Sequence, residues 1–510
     1  MNKKYILLSL LSGLLLAFSF PNFLEQGLKT HTFFFIWFAY APLFYIFLKE
    51  NSFKYIFIYS TLTASGFYLI SLYWLCNVKP MGYGAYACWV LLCVYCTFSI
   101  SLPLILSKLL KSKSGVDYLL SVPVLLTIFE FSREWMLTGF PILTPAQSQY
   151  QLLPFLQILK YTGIYGPNFL IFFINVLAAM LFAGQKPDIK NAGNAGAICI
   201  AGLLLLLVIP ANSGIIAGKT IKAAIIQPNI DQGVEWSKGY KEQSVNTIQG
   251  MIKGLKNDKP DIIVWPETGY PGILKAEPWK ELEIAGWAPG AYNIVGSDNV
   301  AYNKKEPEYY NTAFLIGPGG AIEGEYSKLH LVPFGEYIPL QNIVPFIHQA
   351  VRRYGFVGYT AGNSARPMEM NGLKFGTLIC YDGVFPEISR KFAEQGAAFM
   401  VHLSYETWYG RTPASSQIFV NTALRAIENE IPIIRCVASG ISGFVTSRGE
   451  IYSETGLFEK KTVTAAVVAG GRRTIYTRFG GWFIYFLALI LAGIFLVGAA
   501  GKNDITDHGH

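Results

Sequence analysis

The sequence predicts two architectures in one chain: a bundle of about eight membrane-length helices, and a layered α/β domain set before the last of them. Three observations predict this. Hydrophobic residues make up 52% of the chain and charged residues only 15%, which is too apolar for an ordinary soluble protein. The apolar excess fills the first 210 residues or so and the last 30. Between them, short strand-like runs alternate with helical spacing, the pattern of strands and helices stacked in layers. The expected domains are a membrane domain over 1–215, an α/β domain over 220–470 and a closing membrane helix at 478–500.

Lys3 and Lys4 precede an apolar run at 5–20. No small-x-small cleavage site follows it, so an uncleaved first span is expected rather than a signal peptide. Further apolar runs lie at about 33–48, 53–75, 86–107, 117–138, 163–183, 193–210 and 480–499. Several reach the ~20 residues that cross a bilayer, and the first two are short. Lysines gather at alternate ends: Lys3 and Lys4, Lys49 and Lys54, Lys108 to Lys113, Lys186 and Lys190, and Lys502. That asymmetry puts the N-terminus in the cytoplasm and the α/β domain outside. Arg472, Arg473 and Arg478 run against it, either as a solvated linker or as contacts for lipid phosphates. In the fifth run Glu130 and Arg133 stand at i, i+3 and share a helix face. Ionisable groups in a span are costly, so this pair either locks two helices together or has a direct role.

The α/β domain opens with an apolar strand at 222–229, then Trp236, then helical spacing over 242–255. Strands are expected at 261–265, 292–297 and 312–317, with Pro318, Gly319 and Gly320 as a hairpin turn. Strands at 397–403, 432–437, 444–447 and 462–468 and a helix at 417–429 complete the pattern. The polar tail after Lys502 holds His508 and His510 without the partners of a metal site. Cys93 and Cys96 form a CxxC inside a membrane run with no second pair to complete a zinc site, and read as packing. Cys380 and Cys436 belong to the α/β domain, the latter as a core residue.

The stretch 374–387, KFGTLICYDGVFPE, is apolar up to Cys380, turns at Asp382 and Gly383, and resumes helical spacing. A cysteine delivered at a strand's carboxyl end suits a nucleophile, because turn and helix amides can meet an oxyanion. A lone cysteine in an apolar strand is more often inert packing. Two other segments shift that balance. WPE sets Glu267 just after an apolar run, and SKLHLVPFGEYIP sets Lys328 and Glu336 around another. A thiol needs a base, for which Glu267 is the candidate. Lys328 is the candidate for stabilising the oxyanion, and Glu336 for orienting Lys328 or assisting proton transfer.

Glu, Lys and Cys in that order, each at a strand edge, resemble the nitrilase superfamily. The strings WPET, K-x-HLVPFGEYIP and ICYD, together with the flanking membrane runs, resemble the bacterial apolipoprotein N-acyltransferases. The resemblance implies a nitrilase-like α-β-β-α sandwich, with Glu267, Lys328 and Cys380 catalytic. It implies supporting places for Glu336, Tyr381, Asp382, Trp236 and Pro339, with Trp236 open between a substrate contact and a core residue. It further implies a phospholipid acyl donor, a Cys380 thioester, and the N-terminal α-amine of a diacylglyceryl-cysteine apolipoprotein as acceptor. The implied setting is the bacterial inner membrane, with the catalytic domain on the periplasmic side. A monomer with no cofactor and no metal is expected. The chain departs from the family pattern at Asp382, where glutamate is usual, at Tyr405 and Glu406 before Trp408, and at Gln417 and Ile418. A differently shaped substrate is expected there.

A membrane domain suits such a substrate, because drawing each lipid methylene into water costs about 0.8 kcal/mol. The residues alone leave two alternatives: a membrane-anchored amidohydrolase, in which water takes the acyl group, and a non-catalytic lipid-binding or transport protein. The apolar stretch 343–357, with Arg352 and Arg353, is either a lid dipping into the interface or a packed loop. The net charge of +8 suits topology signals and anionic membrane lipids rather than nucleic acid.

Overall fold

The computed structural model describes residues 1–24, 27–78, 81–185, 218–230, 239–277, 279–302, 307–339 and 358–507. Trp236, the run at 193–210, the stretch 343–357, Cys199, His508 and His510 lie outside the described residues. The chain divides into two compact units, one of Met1–Ser213, Thr412–Val420 and Arg478–His510, the other of Gly214–Arg411 and Asn421–Thr477.

In the first unit, helices occupy each apolar run within the described residues: Lys3–Phe18, Ile36–Ala39 with Ala41–Lys49, Phe53–Ser71, Gly84–Ser114, Tyr118–Ser132, Tyr165–Phe182 and Trp482–Asp507. Two of them, Gly84–Ser114 and Tyr165–Phe182, are long and apolar enough to cross a membrane. Phe33–Lys49, Tyr118–Ser132 and Trp482–Leu496 are apolar but shorter. Helix Gly84–Ser114 exposes Leu91, Val94, Phe98, Leu102, Leu106 and Leu109, a stripe at three- and four-residue spacing. Such a stripe is a liability in water and a normal outer face in lipid.

The fifth run departs from the expectation of one continuous span. Its helix stops at Ser132, with Arg133 as the cap. Leu137, Thr138 and Gly139 follow at φ 47°, 79° and 84°, so the chain reverses. Arg133 holds the reversal together. Its Nη2 donates to the carbonyls of Phe140 (2.9 Å) and Ile142 (2.6 Å), and its Nη1 donates to Glu130 (2.7 Å). Gln417 also belongs to this unit, although its sequence neighbours read as part of the α/β domain. It accepts from Trp74 Nε1 (3.0 Å) and donates to the carbonyls of Pro21 (3.0 Å) and Ser71 (3.1 Å).

The second unit is built on two mixed sheets. The first has the order β13 (Lys461–Ala469), β1 (Lys219–Gln227), β2 (Ile262–Val264), β4 (Tyr292–Tyr302), β5 (Pro307–Ile316) and β6 (Ile322–Ser327), with β3 (Tyr270–Ile273) also on β4. The second runs β12 (Ile451–Tyr452), β11 (Gly443–Val445), β10 (Ile433–Val437), β9 (Phe399–Ser404), β8 (Leu373–Ile379) and β7 (Met368–Met370). Their centres are parallel: β1, β2 and β4 in one, β8, β9 and β10 in the other. Buried on both faces, these strands read as continuous apolar runs. The sheets meet where Cys436 of β10 donates to the carbonyls of Ile226 and Val264, each at 3.2 Å. That contact explains why Cys436 is core and not chemistry. Helices cover the outer faces. Ile248 and Ile252 of helix Tyr240–Gly254 and Ile284 and Trp287 of Lys280–Trp287 pack with Ile263 and Trp265. Phe392 of helix Pro386–Glu394 lies so close to β8 that a Cβ at Gly376 would fall 2.7 Å from its ring. The order helix, sheet, sheet, helix is the α-β-β-α sandwich that the resemblance implies.

Candidate active site

Three strand ends converge. Glu267 follows β2, Lys328 follows β6 and Cys380 follows β8. Strand β5 is antiparallel to both β4 and β6, so β2 and β6 run the same way. Ligands of α/β sheets bind beyond carboxyl ends of this kind. Each arrival has a local cause. A Cβ at Gly296 on β4 would sit 2.4 Å from the Pro266 carbonyl and 2.9 Å from Glu267 Cα, so only glycine lets the chain turn there with the carboxylate inward. At Cys380 the strand passes into a short 3₁₀ turn, Cys380–Val384, and the cysteine itself has φ 48°. A left-handed residue other than glycine costs about 1–2 kcal/mol. Strain of this kind survives only where the surroundings impose it.

The carboxylate and ammonium are buried beside the half-buried thiol of Cys380. Lys328 is buried, and its Nζ lies 2.7 Å from Glu336 Oε1 and 3.6 Å from Glu267 Oε1. Glu267 is buried as well, and its Oε1 accepts from Asn311 Nδ2 at 2.7 Å. Its other oxygen, Oε2, has no hydrogen-bond partner among the described residues. Burial raises the Glu267 pKa above the carboxylate range, against the opposing pull of Lys328, Asn311 and Cys380. Burial by itself would lower the Lys328 pKa, but Cys380, Glu336 and Glu267 together hold it well above the usual lysine value, so it stays charged. Burial, then Glu267, pushes the Cys380 thiol pKa far up. The resting cysteine is therefore a thiol beside a carboxylate with a free lone pair, and it needs that carboxylate to lose its proton. Its sulfur is in no disulfide, nor is that of any other described cysteine.

The supporting residues separate by what they touch. Glu336 Oε2 accepts from the Val332 amide (2.7 Å), which fixes the carboxylate that orients Lys328. Asp382 is fully buried and acts as a staple. Its Oδ1 accepts from the His330 amide (2.8 Å), and its Oδ2 from Tyr326 Oη (2.9 Å) and the Ile379 amide (3.2 Å). It ties the Cys380 turn to the Lys328 segment. Burial pushes its pKa up to about 6. Tyr381 is half-buried and makes edge-to-face contacts with His330 and Phe385, at centroid distances of 5.5 Å and 5.0 Å. Pro339 is half-buried in a turn just beyond the Pro333–Tyr337 bridge and joins none of the polar contacts of the cluster. The cluster also uses Asn311, which the sequence reading missed; it stands inside an apolar strand, where a buried amide is a signal in itself.

A small pocket beside Glu267 is lined by Tyr240, Ser244, Thr268, Tyr405 and Ala438 among others. Ser244 Oγ is buried there with no hydrogen-bond partner among the described residues. An arrangement of base, cation and thiol can form and break an acyl–sulfur bond.

Two family models match this chain. One, Apolipoprotein N-acyltransferase N-terminal domain, covers residues 12–177, and the other, Carbon-nitrogen hydrolase, covers 222–476. The chain is 30% identical to a protein of Geobacter metallireducens named apolipoprotein N-acyltransferase, over 99% of this chain and 97% of that one. It is 27% identical to a protein of the same name from Chlorobaculum tepidum, over 93% and 92%. Among solved structures it is similar to Saccharomyces cerevisiae Nit3, a member of branch 10 of the nitrilase superfamily, with 20% identity, a TM-score of 0.38, and coverage of 50% of this chain and 92% of Nit3.

Proposed function

This chain belongs to the apolipoprotein N-acyltransferase family, and we propose that it carries an acyl chain from a membrane phospholipid to a lipoprotein through a thioester on Cys380. The observation that supports this most is the pairing of buried Glu267 and Lys328 next to the half-buried Cys380, with Glu267 Oε2 unpartnered among the described residues. In the first half-reaction Glu267 takes the thiol proton and Sγ attacks the ester carbonyl carbon of the phospholipid. Lys328 stabilises the oxyanion, a contribution on the order of 3 kcal/mol for one such donor. The tetrahedral intermediate collapses, the C–O bond breaks, and the glycerol oxygen leaves with the proton from Glu267 as a lysophospholipid. In the second half-reaction the α-amine of the diacylglyceryl-cysteine attacks the thioester and gives a proton to Glu267. The C–S bond breaks and the thiolate takes that proton back. Glu336 orients Lys328, Asp382 and Tyr381 support the turn, and Trp236 and Pro339 are proposed as substrate-side residues.

The setting is part of the same proposal. About eight spans hold the chain in the bacterial inner membrane, with the α/β unit on the periplasmic side, following the lysine asymmetry. One chain supplies every proposed catalytic group, so a monomer is expected. Cysteine-accessibility mapping that found residues 222–468 in the cytoplasm would overturn this topology.

Incubation with acyl-labelled phospholipid alone tests the mechanism. Label should appear on Cys380 and be released by neutral hydroxylamine, and an amide product should form only when a lipoprotein peptide is added. Free fatty acid released without an acceptor would indicate a hydrolase. Label retained in Cys380→Ala would remove this cysteine as the nucleophile.

A further inference from the structure

Beneath the Cys380 turn lies a buried polar cluster that the chemistry above does not use. His402 on β9 is in register with Leu378 of β8 and with Arg435 of β10, so His402 and Arg435 share one sheet face. Both are fully buried. Arg435 Nη1 lies 2.9 Å from His402 Nδ1. A guanidinium has only donors, so Nδ1 accepts, and the ring's one proton is on Nε2. Nε2 lies 2.9 Å from the carbonyl oxygen of Cys380 and donates to it. Thr422 Oγ1 stands 2.9 Å from Nδ1 on the helix above.

The cluster is anchored behind this bond. Arg435 Nη2 donates to Glu406, whose Oε1 also accepts from Ser404 Oγ (3.1 Å), and Arg435 Nε donates to the Ile441 carbonyl (3.2 Å). The imidazole fills the space under the turn so tightly that a Cβ at Gly383 would fall 2.5 Å from its Cε1. The groups acting on the ring are Arg435 from β10, Lys328 from beyond β6, and the Cys380 carbonyl. Burial and then Arg435 keep His402 well below the imidazole range, so the ring stays neutral.

We infer that His402, held by Arg435, is a positioning residue: its Nε2–H bond to the Cys380 carbonyl fixes residue 380 in its left-handed conformation and so aims the thiol at Glu267. This rests on Cys380 being the nucleophile. His402 touches no substrate and acts only through the backbone of the turn. Nothing in the resemblance assigns it this role.

The test uses the full chain in detergent micelles. Alkylation of Cys380 by iodoacetamide is followed by the mass of its peptide from pH 6 to 9, alongside kcat, KM for phospholipid and the melting temperature. His402→Phe keeps a ring but loses both nitrogens. Alkylation and kcat should each fall on the order of 10²-fold, the penalty of a reacting atom misplaced by about 1 Å, with KM unchanged. His402→Gln can still accept from Arg435 and donate to the carbonyl, and should recover most of the rate. A folded His402→Phe that alkylates and turns over like the parent overturns the inference, as does a Gln variant no faster than Phe. If the Phe variant does not fold, the ring of the unmodified protein decides. Nitrogen-15 spectra showing a neutral Nε2–H tautomer across this pH range support the inference, and an Nδ1–H tautomer overturns it. Failure of the nucleophile assignment would instead appear as acyl label surviving in Cys380→Ala, a result that the alkylation rates do not affect.

Discussion

A buried pair of opposite charges in the helical unit and the candidate site of the α/β unit are built from similar groups and end up in opposite states. In the helical unit Arg133 spends both terminal nitrogens on Glu130 and on the carbonyls of Phe140 and Ile142. Its only orphan is Nε, a donor on a group that never gives up its proton. In the candidate site the orphan is Glu267 Oε2, an acceptor on a carboxylate. Leaving a buried acceptor unmade costs about 1–3 kcal/mol, and it leaves a lone pair able to take a proton. An orphan donor on arginine can only wait for a carbonyl. The difference sets a joint apart from a candidate reaction centre on physical grounds alone. It also explains the backbone at each site: the reversal at 137–139 is bonded into place by Arg133, whereas the strained Cys380 presents a sulfur.

Glu267→Gln gives the largest expected effect on this comparison. It keeps shape and hydrogen bonding but cannot take a proton, so thioester formation should slow by about 10²–10⁴. In the parent, burial raises the Glu267 pKa, and only the ionised form is a base. The acid limb of kcat/KM should therefore lie above the ordinary carboxylate range, with activity rising as pH rises through it. An unshifted limb in the glutamine variant would mean that another group is the base.

Lys328→Met should follow, with a loss of about 10²–10³ in kcat from the missing oxyanion partner. Because it strands Glu267 and Glu336, the melt must be recorded with the rate. Loss of rate only in proportion to unfolded protein would reduce Lys328 to a structural ion.

For the helical cluster the expectation is one of stability. Glu130→Gln or Arg133→Met alone should cost about 3–5 kcal/mol by leaving a buried charge unpaired, and the two together should cost less than the worse single change. Equal damage from the double change would show that the pair is more than a joint, which the comparison denies.

Much of the candidate site was legible before the fold, because its residues sit where patterns change. Glu267 and Cys380 each follow an apolar run directly, with turn chemistry after them, and Lys328 stands just before one. His402 and Arg435 were not legible. They stand in the middle of apolar strands 33 residues apart, and only the parallel register of β9 and β10 makes them neighbours. The available signal was an ionisable residue inside each of two fully buried strands, a costly choice unless the two are paired. Short strands such as β3 and β7 escaped because three or four residues carry no period. The assignment of Thr412–Val420 to the helical unit escaped for a different reason. Helix Ala414–Asn429 is continuous in sequence, and periodicity cannot say where along a helix its partners change.

The smallest effect isolates Asp382, the residue that stands where the family has glutamate. The Lys328 charge and three accepted hydrogen bonds favour the charged carboxylate, yet burial outweighs them and takes its pKa from the ordinary 3.8 to about 6. The folded chain therefore holds this proton more tightly than the unfolded chain does. The resulting stabilisation is complete below the unfolded value and is lost as pH rises through about 6, a swing of about 3 kcal/mol at most. Chemical denaturation of the full chain in detergent, from about pH 4 to about pH 7, should show the parent losing stability relative to Asp382→Asn over that window. The difference between the two curves cancels the contribution of Glu267, which has the same sign. Parallel curves would mean that the staple is already ionised at low pH and that its hydrogen bonds, not its burial, set its charge. In that case Asp382 would be a permanent anion facing Lys328, and the cation would be shared among three carboxylates instead of two.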